Sequence, residues 1–429
     1  MKKVVSVILV VVLLLASVSI VYATLGNKTI TITGSTSSSS NLKVHFIDVG
    51  QGDSILIECP NGSDILVDAG VPAEGPTVVN YLKSQDISTL YAIVETHPHE
   101  DHIGGFSNVI NTFTVKNVYA TKATSTTKTY TNLQNLIKDK NLPVTNIAYG
   151  VTIPADTSVS MTFLSPTRAS YSNLNDWSGV LKVQYKDVSF LLMGDASTNV
   201  EEDLLNKCKD KLPSTVLKVG HHGSSTSTSS NFLDIVKPQY AVIEVGKDNS
   251  YGHPSVATLV RLSDAGAKVY RTDIDGTVVF TTDGKTLSNN KSVTSSYVIV
   301  LQIDNPNMTV NGNSLEIDPG RGTKPIIKNS RTLVPIRAIV ETLGGSVLWD
   351  STTKKVTINL GSNTIELWIK KNTAVVNGIS TLIDPSNPKV VPEIINSRTM
   401  LPLRFIVENL GCTVEWDPKT RTITIVYNL

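Results

Sequence analysis

Three of the seven histidines of the chain lie close together in the segment THPHEDHIGG, residues 96–105. They are His97, His99 and His102, and Asp101 stands beside the last of them. Neutral imidazole and carboxylate groups are common ligands of zinc and similar divalent ions. Alternate residues of extended backbone face the same way, so His97 and His99 can reach one ion, while Asp101 and His102 in the turn can face a second. The spacing predicts a site for one or two divalent metal ions, Zn or Mn, rather than a solvated polar turn.

Further polar residues follow other apolar stretches. Asp68 ends ILVDAG, Asp195 ends LLMGD, and two histidines end VLKVGHHGS. Polar residues at strand ends gather at one edge of an α/β sheet, where binding sites form. Among the late histidines we favour His221 as ligand because it comes first after the strand, which leaves His222 or His253 to contact substrate or protonate a leaving group. The predicted metal ligands are His97, His99, Asp101, His102, Asp195 and His221.

The elements around these residues predict α/β packing. VHFIDVGQGDSILIEC (44–59) and SDILVDAG (63–70) are apolar strands separated by Pro60-Asn61-Gly62, which is a hairpin signal. A helix is predicted at 75–85, and LYAIVETH (90–97) is a buried strand that delivers the first histidines. Strands and helices alternate in this way to about residue 283, which indicates layered α/β packing. His45, in the middle of a strand, is interpreted as structural.

The N-terminus has the features of an export signal. Met1-Lys2-Lys3 is basic, residues 4–20 are almost entirely apolar, and Val21-Tyr22-Ala23 resembles a signal-peptidase site. We therefore expect a secreted or cell-surface protein with no other membrane-spanning segment; an uncleaved signal anchor is the alternative. The predicted organisation is a signal peptide (1–23), a Ser-rich linker (24–41), a hydrolase-like domain (42–283), a linker (284–297) and a C-terminal domain (298–429).

Composition excludes few functions. The 429-residue chain has a net charge of +1, so bulk charge gives no argument for nucleic acid or membrane binding. The three cysteines Cys59, Cys208 and Cys412 are sparse and odd in number, which argues against a disulfide framework and against thiolates as the main metal ligands.

The C-terminal region contains an internal repeat. Residues 327–358 match residues 394–425 at a constant offset of 67, and both copies read Asn-Ser-Arg-Thr, a Pro, a helical stretch, Leu-Gly and a Trp-Asp strand. Pro near a helix start and Gly at its end are favoured positions. Two βαββ-like units predict a small pseudo-symmetric α+β domain, which contains no histidine.

Residues 42–283 resemble the metallo-β-lactamase fold, whose pattern is a strand-end Asp, HxHxDH, a middle His, a bridging Asp and a late His. The motifs FIDVGQGDSILIE, THPHEDHIGG, LLMGD, LKVGHHGS, YGHPS and RTDIDGTVVF are most similar, in this order, to the C-terminal hydrolase domain of ComEC, the DNA-uptake channel of competent bacteria. This resemblance implies an αββα sandwich with a metal site at the sheet edges. The middle His is missing here, and Asn173, Asp176 or Ser178 in NLNDWSGV could replace it.

The resemblance implies roles for further residues. Asp195 would bridge two ions, and Asp101 would hold metal and orient the nucleophile. Asp68, Asp48 and Asp53 are expected to support the ligands. The predicted catalytic residues are Asp101, His222 and His253.

Three functions remain open from the sequence. The first is an exported metal-dependent phosphodiesterase or nuclease that acts on DNA. The second is a hydrolase of another class, such as an esterase or lactonase; a β-lactam substrate fits least, because Asp195 stands where those enzymes usually carry cysteine. The third is a surface binding protein with a vestigial hydrolase domain, as the missing middle His would suggest.

The C-terminal repeat resembles the domain named after the N-terminal region of copper amine oxidases. Without histidine and with only Cys412, it is not expected to bind copper. It is interpreted either as a surface or cell-wall attachment module or as a spacer.

Overall fold

The computed structural model describes residues 20–25, 28–33, 41–291, 296–311 and 313–428. The chain divides into two compact units, residues 1–40 and 41–429. In the first unit, strand β1 (Ile20–Leu25) pairs antiparallel with β2 (Lys28–Thr33). Most of the predicted signal peptide, residues 1–19, and the serine run at 34–40 lie outside the described residues.

Two mixed sheets form the layers of the predicted hydrolase domain. The first has the strand order β10-β9-β7-β5-β4-β3-β17-β18, the second has the order β11-β12-β13-β14-β15-β16, and β6 pairs with β8 at the side. The strands are β3 (Leu42–Phe46), β4 (Ile55–Glu58), β5 (Asp64–Val67), β6 (Thr89–Leu90), β7 (Ala92–Glu95), β8 (Thr114–Val115), β9 (Val118–Ala120), β10 (Val144–Asn146), β11 (Ser160–Phe163), β12 (Leu181–Tyr185), β13 (Val188–Leu192), β14 (Val216–Lys218), β15 (Tyr240–Ile243), β16 (Lys268–Arg271), β17 (Val278–Thr282) and β18 (Leu287–Asn289).

Helices cover the outer face of each sheet. One buried hydrophobic cluster lies between the inner faces of the two sheets. A second cluster packs the outer face of the first sheet against its helices, and a third does the same for the second sheet. The predicted αββα sandwich is therefore confirmed. Within the described segments, no helix combines the length and the apolar character needed to cross a bilayer. The helices are α1 (Gly75–Ser84), α2 (Glu100–Ile103), α3 (Phe106–Thr112), α4 (Lys128–Asp139), α5 (Thr198–Cys208), α6 (Ser230–Val236), α7 (Val256–Asp264) and α8 (Thr272–Asp275).

Part of the segment predicted as a linker at 284–297 takes part in regular structure. Its residues Leu287–Asn289 form β18, which pairs antiparallel with β17. Beyond it, Val298 and Val426 pack into the same buried cluster as Val236 and Leu262 of the sandwich. Residues 41–429 accordingly form one compact unit, within which the predicted domain boundary stays a prediction.

The C-terminal region consists of strands with two short helices. It contains two five-stranded sheets, β21-β20-β19-β32-β31 and β24-β25-β26-β27-β28, and a four-stranded sheet, β22-β23-β30-β29. The elements are β19 (Ser296–Gln302), β20 (Asn307–Val310), β21 (Asn313–Glu316), β22 (Ile326–Lys328), β23 (Arg331–Val334), α9 (Arg337–Thr342), β24 (Ser346–Asp350), β25 (Lys355–Leu360), β26 (Asn363–Trp368), β27 (Thr373–Val376), β28 (Ile379–Leu382), β29 (Glu393–Ile395), β30 (Arg398–Pro402), α10 (Leu403–Asn409), β31 (Thr413–Asp417) and β32 (Thr422–Asn428).

The structural repeat is longer than the sequence repeat. The series from β19 to β25 recurs as the series from β26 to β32, and each copy lends its first three strands to a sheet completed by the last two strands of the other copy. At the centre, β23 pairs with β30, the equivalent strand of the other copy. The two copies are thus interleaved, and each depends on the other for a complete sheet.

Candidate metal centre

Four buried strands deliver the functional side chains to one edge of the sandwich. Asp68 follows β5 and His97 follows β7 in one sheet, whereas Asp195 follows β13 and His222 follows β14 in the other. Thr96 links the two strands of the first sheet, because its backbone N–H and its hydroxyl donate to the Asp68 carboxylate at 2.9 and 2.7 Å. The carboxyl ends of the strands therefore converge from both sheets on one place.

One group of potential metal ligands consists of Asp101, His102, Asp195 and His222. His102 Nε2 lies 3.2 Å from Asp195 Oδ1, and His222 Nε2 lies 3.4 Å from the same oxygen. Asp101 Oδ2 is 3.3 Å from His222 Nε2 and 4.0 Å from His102 Nε2. Two imidazoles and two carboxylates at this spacing are a donor set that suits Zn or Mn.

A second group consists of His97, His99 and Asp195. His97 Nε2 lies 3.0 Å from His99 Nδ1 and 3.8 Å from Asp195 Oδ2. Asp195 thus presents Oδ1 to the first group and Oδ2 to the second. A carboxylate shared in this way is what a two-ion site needs.

The tautomers of two histidines leave lone pairs directed at the shared carboxylate. His102 Nδ1 lies 2.8 Å from Asp68 Oδ2, and His222 Nδ1 lies 2.9 Å from the backbone carbonyl of Glu244, so each ring can donate through Nδ1. His102 Nε2, His222 Nε2 and Asp195 Oδ1 are then buried atoms without a hydrogen-bond partner in the described part of the chain. Buried polar atoms are rarely left unsatisfied. A divalent cation satisfies all three, so the residues fit a metal ion.

The electrostatics of the cluster also favour a cation. Although burial opposes the imidazolium form, the carboxylates of Asp195, Asp68 and Asp101 raise the pKa of His102 well above its usual range. His222 is likewise buried, yet Asp195 and its neighbours raise its pKa to about 10. A site that binds protons this strongly has an excess of negative potential, which a metal ion can neutralise in their place.

A buried ion pair lies behind the ligands. The Lys218 ammonium contacts the Asp53 carboxylate, and both side chains are almost completely buried, at 0 and 1% exposure. Asp53 Oδ1 lies 3.3 Å from His222 Nδ1, and Asp53 Oδ2 lies 3.9 Å from His102 Nδ1. Burial opposes ionisation of Asp53, but the Lys218 charge outweighs it and lowers the carboxyl pKa. Lys218 therefore keeps the negative charge of Asp53 beside the rings of His222 and His102.

Glu244 completes this layer. It is fully buried, and its Oε1 accepts a hydrogen bond from the backbone N–H of Ser54 at 3.0 Å. Burial and the nearby Asp53 raise its pKa well above the usual range, which favours the protonated carboxyl. Sequence reasoning missed both Lys218 and Glu244. The available signal was a charged residue inside each of the apolar strands VLKVG and YAVIEVG.

The late histidines are arranged differently from the sequence expectation. His222 belongs to a ligand group and His221 does not. His221 Nε2 lies 3.8 Å from Asp195 Oδ2 and 3.2 Å from Asn175 Nδ2, and its ring is 26% exposed. Sequence order favoured His221 as the late ligand, whereas the geometry favours His222. Both residues have left-handed backbone, at φ 49° and 51°, so the turn after β14 turns the second ring into the cluster.

His253 lies at the rim. Its ring is 5.5 Å from His221 and stacks on the exposed Tyr251 at 5.8 Å. Burial and the neighbouring rings of His221 and His222 lower its pKa to about 4, so it is neutral at pH 7. Its Nδ1 has no hydrogen-bond partner among the residues that the structure describes.

The three candidates for the missing middle histidine have separate roles. The Asp176 carboxylate accepts from Ser197, and the Asn173 side chain accepts from the Asn175 N–H. Ser178 comes nearest to the ligands, because its hydroxyl accepts from the Asp195 N–H at 3.0 Å and lies 3.5 Å from His97 Nδ1. Of the three, the carboxylate Asp176 belongs to none of the ligand groups found among the described residues.

Two other predicted residues lie apart from the histidines. The carboxylate of Asp48 accepts from the Gly50 N–H at 3.1 Å and so supports a turn. His45 is buried and contacts the Tyr81 hydroxyl at 2.8 Å and the Glu58 carboxylate at 2.6 Å, in line with its interpretation as structural.

The sequence comparisons agree with this arrangement. Residues 47–246 match the metallo-beta-lactamase superfamily model. This part of the chain is therefore a metallo-beta-lactamase superfamily domain. These residues accordingly form a metal-dependent hydrolase domain of that superfamily. Residues 309–425 match the copper amine oxidase N-terminal domain, which includes both copies of the repeat.

The metallo-beta-lactamase domain has relatives among competence proteins. The chain is 27% identical to ComE operon protein 3 of Bacillus subtilis over 56% of its own length and 33% of that protein. It is 32% identical to the competence protein ComA of Neisseria gonorrhoeae over 54% of its length and 31% of that protein. A shorter match, 38% identical over 19% of the chain and 30% of the relative, is to hydroxyacylglutathione hydrolase of Prochlorococcus marinus. The chain thus spans about a third of the length of these relatives.

Solved structures resemble the chain at low sequence identity. They include CmlA, a diiron β-hydroxylase from Streptomyces venezuelae, at 15% identity over 56% of this chain and 54% of that chain, with a TM-score of 0.39. Zn²⁺-bound PqqB from Methylobacterium extorquens matches at 11% identity over 54% and 87%, with a TM-score of 0.37.

Proposed function

We propose that this chain is an extracytoplasmic phosphodiesterase that cleaves DNA with the help of two divalent ions, Zn or Mn. The observation that carries the proposal is the pair of ligand groups that share Asp195. Two-ion sites are common in phosphatases and nucleases, because two ions can stabilise both the attacking and the leaving oxygen of a phosphoryl group. One ion would be held by His97, His99 and Asp195, and the other by Asp101, His102, Asp195 and His222.

The remaining chemistry falls to the side chains themselves. A divalent ion at such a site lowers the pKa of water and polarises the oxygen of an ester. Asp101, 31% exposed, is the most accessible acid of the cluster, and nearby histidines lower its pKa despite its burial. It stays ionised and can orient an attacking water as a hydrogen-bond acceptor. His253 is neutral at pH 7, so it must first take up a proton through Nδ1 or Nε2 before it can donate one to a leaving group.

Two observations support DNA as the substrate. The competence relatives match over the domain that contains the site. Tyr251, 69% exposed, stacks on His253 at the rim, where an aromatic ring can stack on an unpaired base. The neutral overall charge of the chain means that affinity for DNA must come from such local contacts.

The test is a cleavage assay on the full chain loaded with Mn or Zn, using single- and double-stranded DNA. Loss of an outer-shell partner of a metal already costs about 10–100-fold, so Asp101→Ala/His102→Ala should reduce cleavage by more than about a hundredfold. Asp187→Asn is the matched control, because Asp187 is exposed at the opposite end of β13 from Asp195 and should leave cleavage unchanged. Two bound ions with both DNA substrates intact would contradict the proposal.

A second candidate is hydrolysis of a thioester or another small ester. The match to hydroxyacylglutathione hydrolase, which includes only 19% of this chain, favours it. If metal is bound and DNA stays intact, turnover of a hydroxyacylglutathione would identify this class. An intact metal site without turnover of either substrate would instead favour a surface binding protein with a vestigial hydrolase domain.

We also propose that the chain acts outside the cytoplasm and that its C-terminal repeats contact the cell surface. The basic and apolar start of the sequence supports the first part of this proposal. Cell fractionation with an antibody to the chain tests it, and recovery in the cytoplasmic fraction alone would contradict it.

A further inference from the structure

The C-terminal domain contains two equivalent cavities, with volumes of about 530 and 540 Å³. Their lining residues correspond at the same offset of 67 that relates the sequence repeats. Trp416, Arg404 and Glu408 line one cavity, and Trp349, Arg337 and Glu341 line the other. The domain therefore presents this set of one Trp, one Arg and one Glu twice.

Each cavity is built by both copies of the repeat. In the first, Arg331 of copy one forms an ion pair with Asp384 of copy two at 2.8 Å. In the second, Arg398 of copy two pairs with Asp318 of copy one at 2.7 Å. The interleaving of the copies described above is what brings these partners together, so the sequence repeat alone does not reveal the cavities.

An exposed indole distinguishes each cavity. Trp349 and Trp416 are 39 and 37% exposed, which is unusual for the largest aromatic side chain. Other positions near each tryptophan differ between the copies: Leu348 corresponds to Glu415, and Ala338 corresponds to Phe405. The tryptophan is thus the same in both copies although adjacent positions differ. An aromatic surface inside a concave, partly apolar cavity is a common feature of ligand sites.

The charged groups of each cavity balance. Two arginines face two carboxylates in both, and the second pair, on the helix, has N–O distances of 3.1 Å in α9 and in α10. A balanced cavity has no excess charge to attract a polyanion such as DNA or a polycation. The arginine N–H groups and carboxylate oxygens still offer donors and acceptors for hydroxyl groups.

We propose that the two cavities are equivalent binding sites for sugar units of an uncharged polysaccharide. A sugar ring has an apolar C–H face that can stack on indole and a rim of hydroxyls that can bond to paired Arg and carboxylate groups. Two similar sites in one domain suit a ligand with repeating units. The inference rests on the proposed surface role of the repeats and gives it a chemical class; it does not depend on hydrolysis, because no residue of the metal centre is involved.

The test is binding of the full chain to cellulose, chitin, xylan, mannan, amylose and β-1,3-glucan, followed by titration calorimetry with a soluble oligosaccharide of the retained polymer. We expect two binding sites per chain, one site in Trp349→Ala and in Trp416→Ala, and none in the double variant. Leu348→Ala is the matched control, since Leu348 is a 60% exposed apolar residue next to Trp349 that lines neither cavity, and it should keep two sites.

A second pair of variants covers the case in which loss of tryptophan prevents folding. Arg337→Gln and Arg404→Gln change side chains that are 57 and 55% exposed, and each should weaken one site about tenfold, as expected for loss of a hydrogen bond to a charged group. The inference is overturned if none of the six polymers is retained, or if the double tryptophan variant binds as well as the original chain. Retention of DNA that is lost in that variant would also overturn it. DNA cleavage can persist or fail independently of these outcomes.

Discussion

Replacement of Lys218 by methionine should strongly destabilise the metallo-beta-lactamase domain. The Lys218 ammonium and the Asp53 carboxylate are 0 and 1% exposed and in direct contact. Without the lysine, the buried carboxylate loses its partner charge. Removal of one partner of a buried pair typically costs about 3–5 kcal/mol.

The environment of Asp53 places this variant near the lower end of that range. His222 Nδ1 lies 3.3 Å from the carboxylate and can supply part of the missing positive charge. Lys218 also donates to the backbone carbonyl of Gly194 at 3.3 Å, and loss of such a bond adds about 1 kcal/mol. We therefore expect the free energy of unfolding to fall by about 3–4 kcal/mol.

The assay is denaturant unfolding of the metal-free chain. Trp177 is the tryptophan of the sandwich, so its fluorescence reports this domain when Trp349, Trp368 and Trp416 are replaced by Phe. A chain with two domains need not unfold in one step, which is why a local probe is needed. The exposed Lys140→Met is the control and should change the free energy of unfolding by less than about 0.5 kcal/mol.

A double-mutant cycle separates the ion pair from general damage. Asp53→Asn/Lys218→Met replaces the pair with neutral groups of similar size and should lie within about 1 kcal/mol of the original chain, so at least about 2 kcal/mol of the loss in Lys218→Met should be recovered. Since Asp53 lies beside two ligand rings, Asp53→Asn should also weaken metal binding about 10–100-fold. A loss below about 1 kcal/mol in Lys218→Met, or no recovery in the double variant, would refute the reasoning.

Three further predictions follow from other parts of the domain. Asp195→Asn removes the carboxylate shared by both ligand groups and should leave at most one bound ion after dialysis, as measured by metal analysis; retention of two ions would contradict the shared role. Gly52→Ala should cost at least about 2 kcal/mol, because Gly52 has φ +146° and an added Cβ would lie 2.3 Å from the Asp101 carbonyl oxygen; an unchanged thermal midpoint would count against it. Burial and the nearby Glu58 raise the pKa of Asp64 from 3.8 to about 6. The free energy of unfolding should therefore fall as the pH rises from 3.8 through 6, because the folded chain holds this proton more tightly than the unfolded chain. Asp64→Asn should therefore be about 1–2 kcal/mol more stable than the original chain at pH 8 and equal to it well below pH 4. This difference in stability is smaller than the full pKa shift implies, because Asp64 is only half-buried. An equal difference at both pH values would argue against this cause.

The sequence by itself determined which candidate ligands lie close together. His97, His99, Asp101 and His102 are close along the chain, and a strand followed by a turn brings such neighbours together whatever the rest of the fold does. Asp68 and Asp195 were recognisable because each follows an apolar strand, and strand ends gather at the sheet edge. The repeat at residues 327–358 and 394–425 was visible for the same reason, since an identical local pattern specifies an identical local structure.

Only the tertiary structure decided which partners meet across long distances in the chain. His222 reaches the ligand group instead of His221 because both take left-handed backbone after β14, a conformation that sequence order does not reveal. Lys218 ends β14 of one sheet and Asp53 lies in the loop between β3 and β4 of the other, so their contact depends on how the two layers pack. The exchange of strands between the C-terminal repeats is equally invisible in the sequence, because a repeat specifies its own elements but not whether they pair within one copy or with the other.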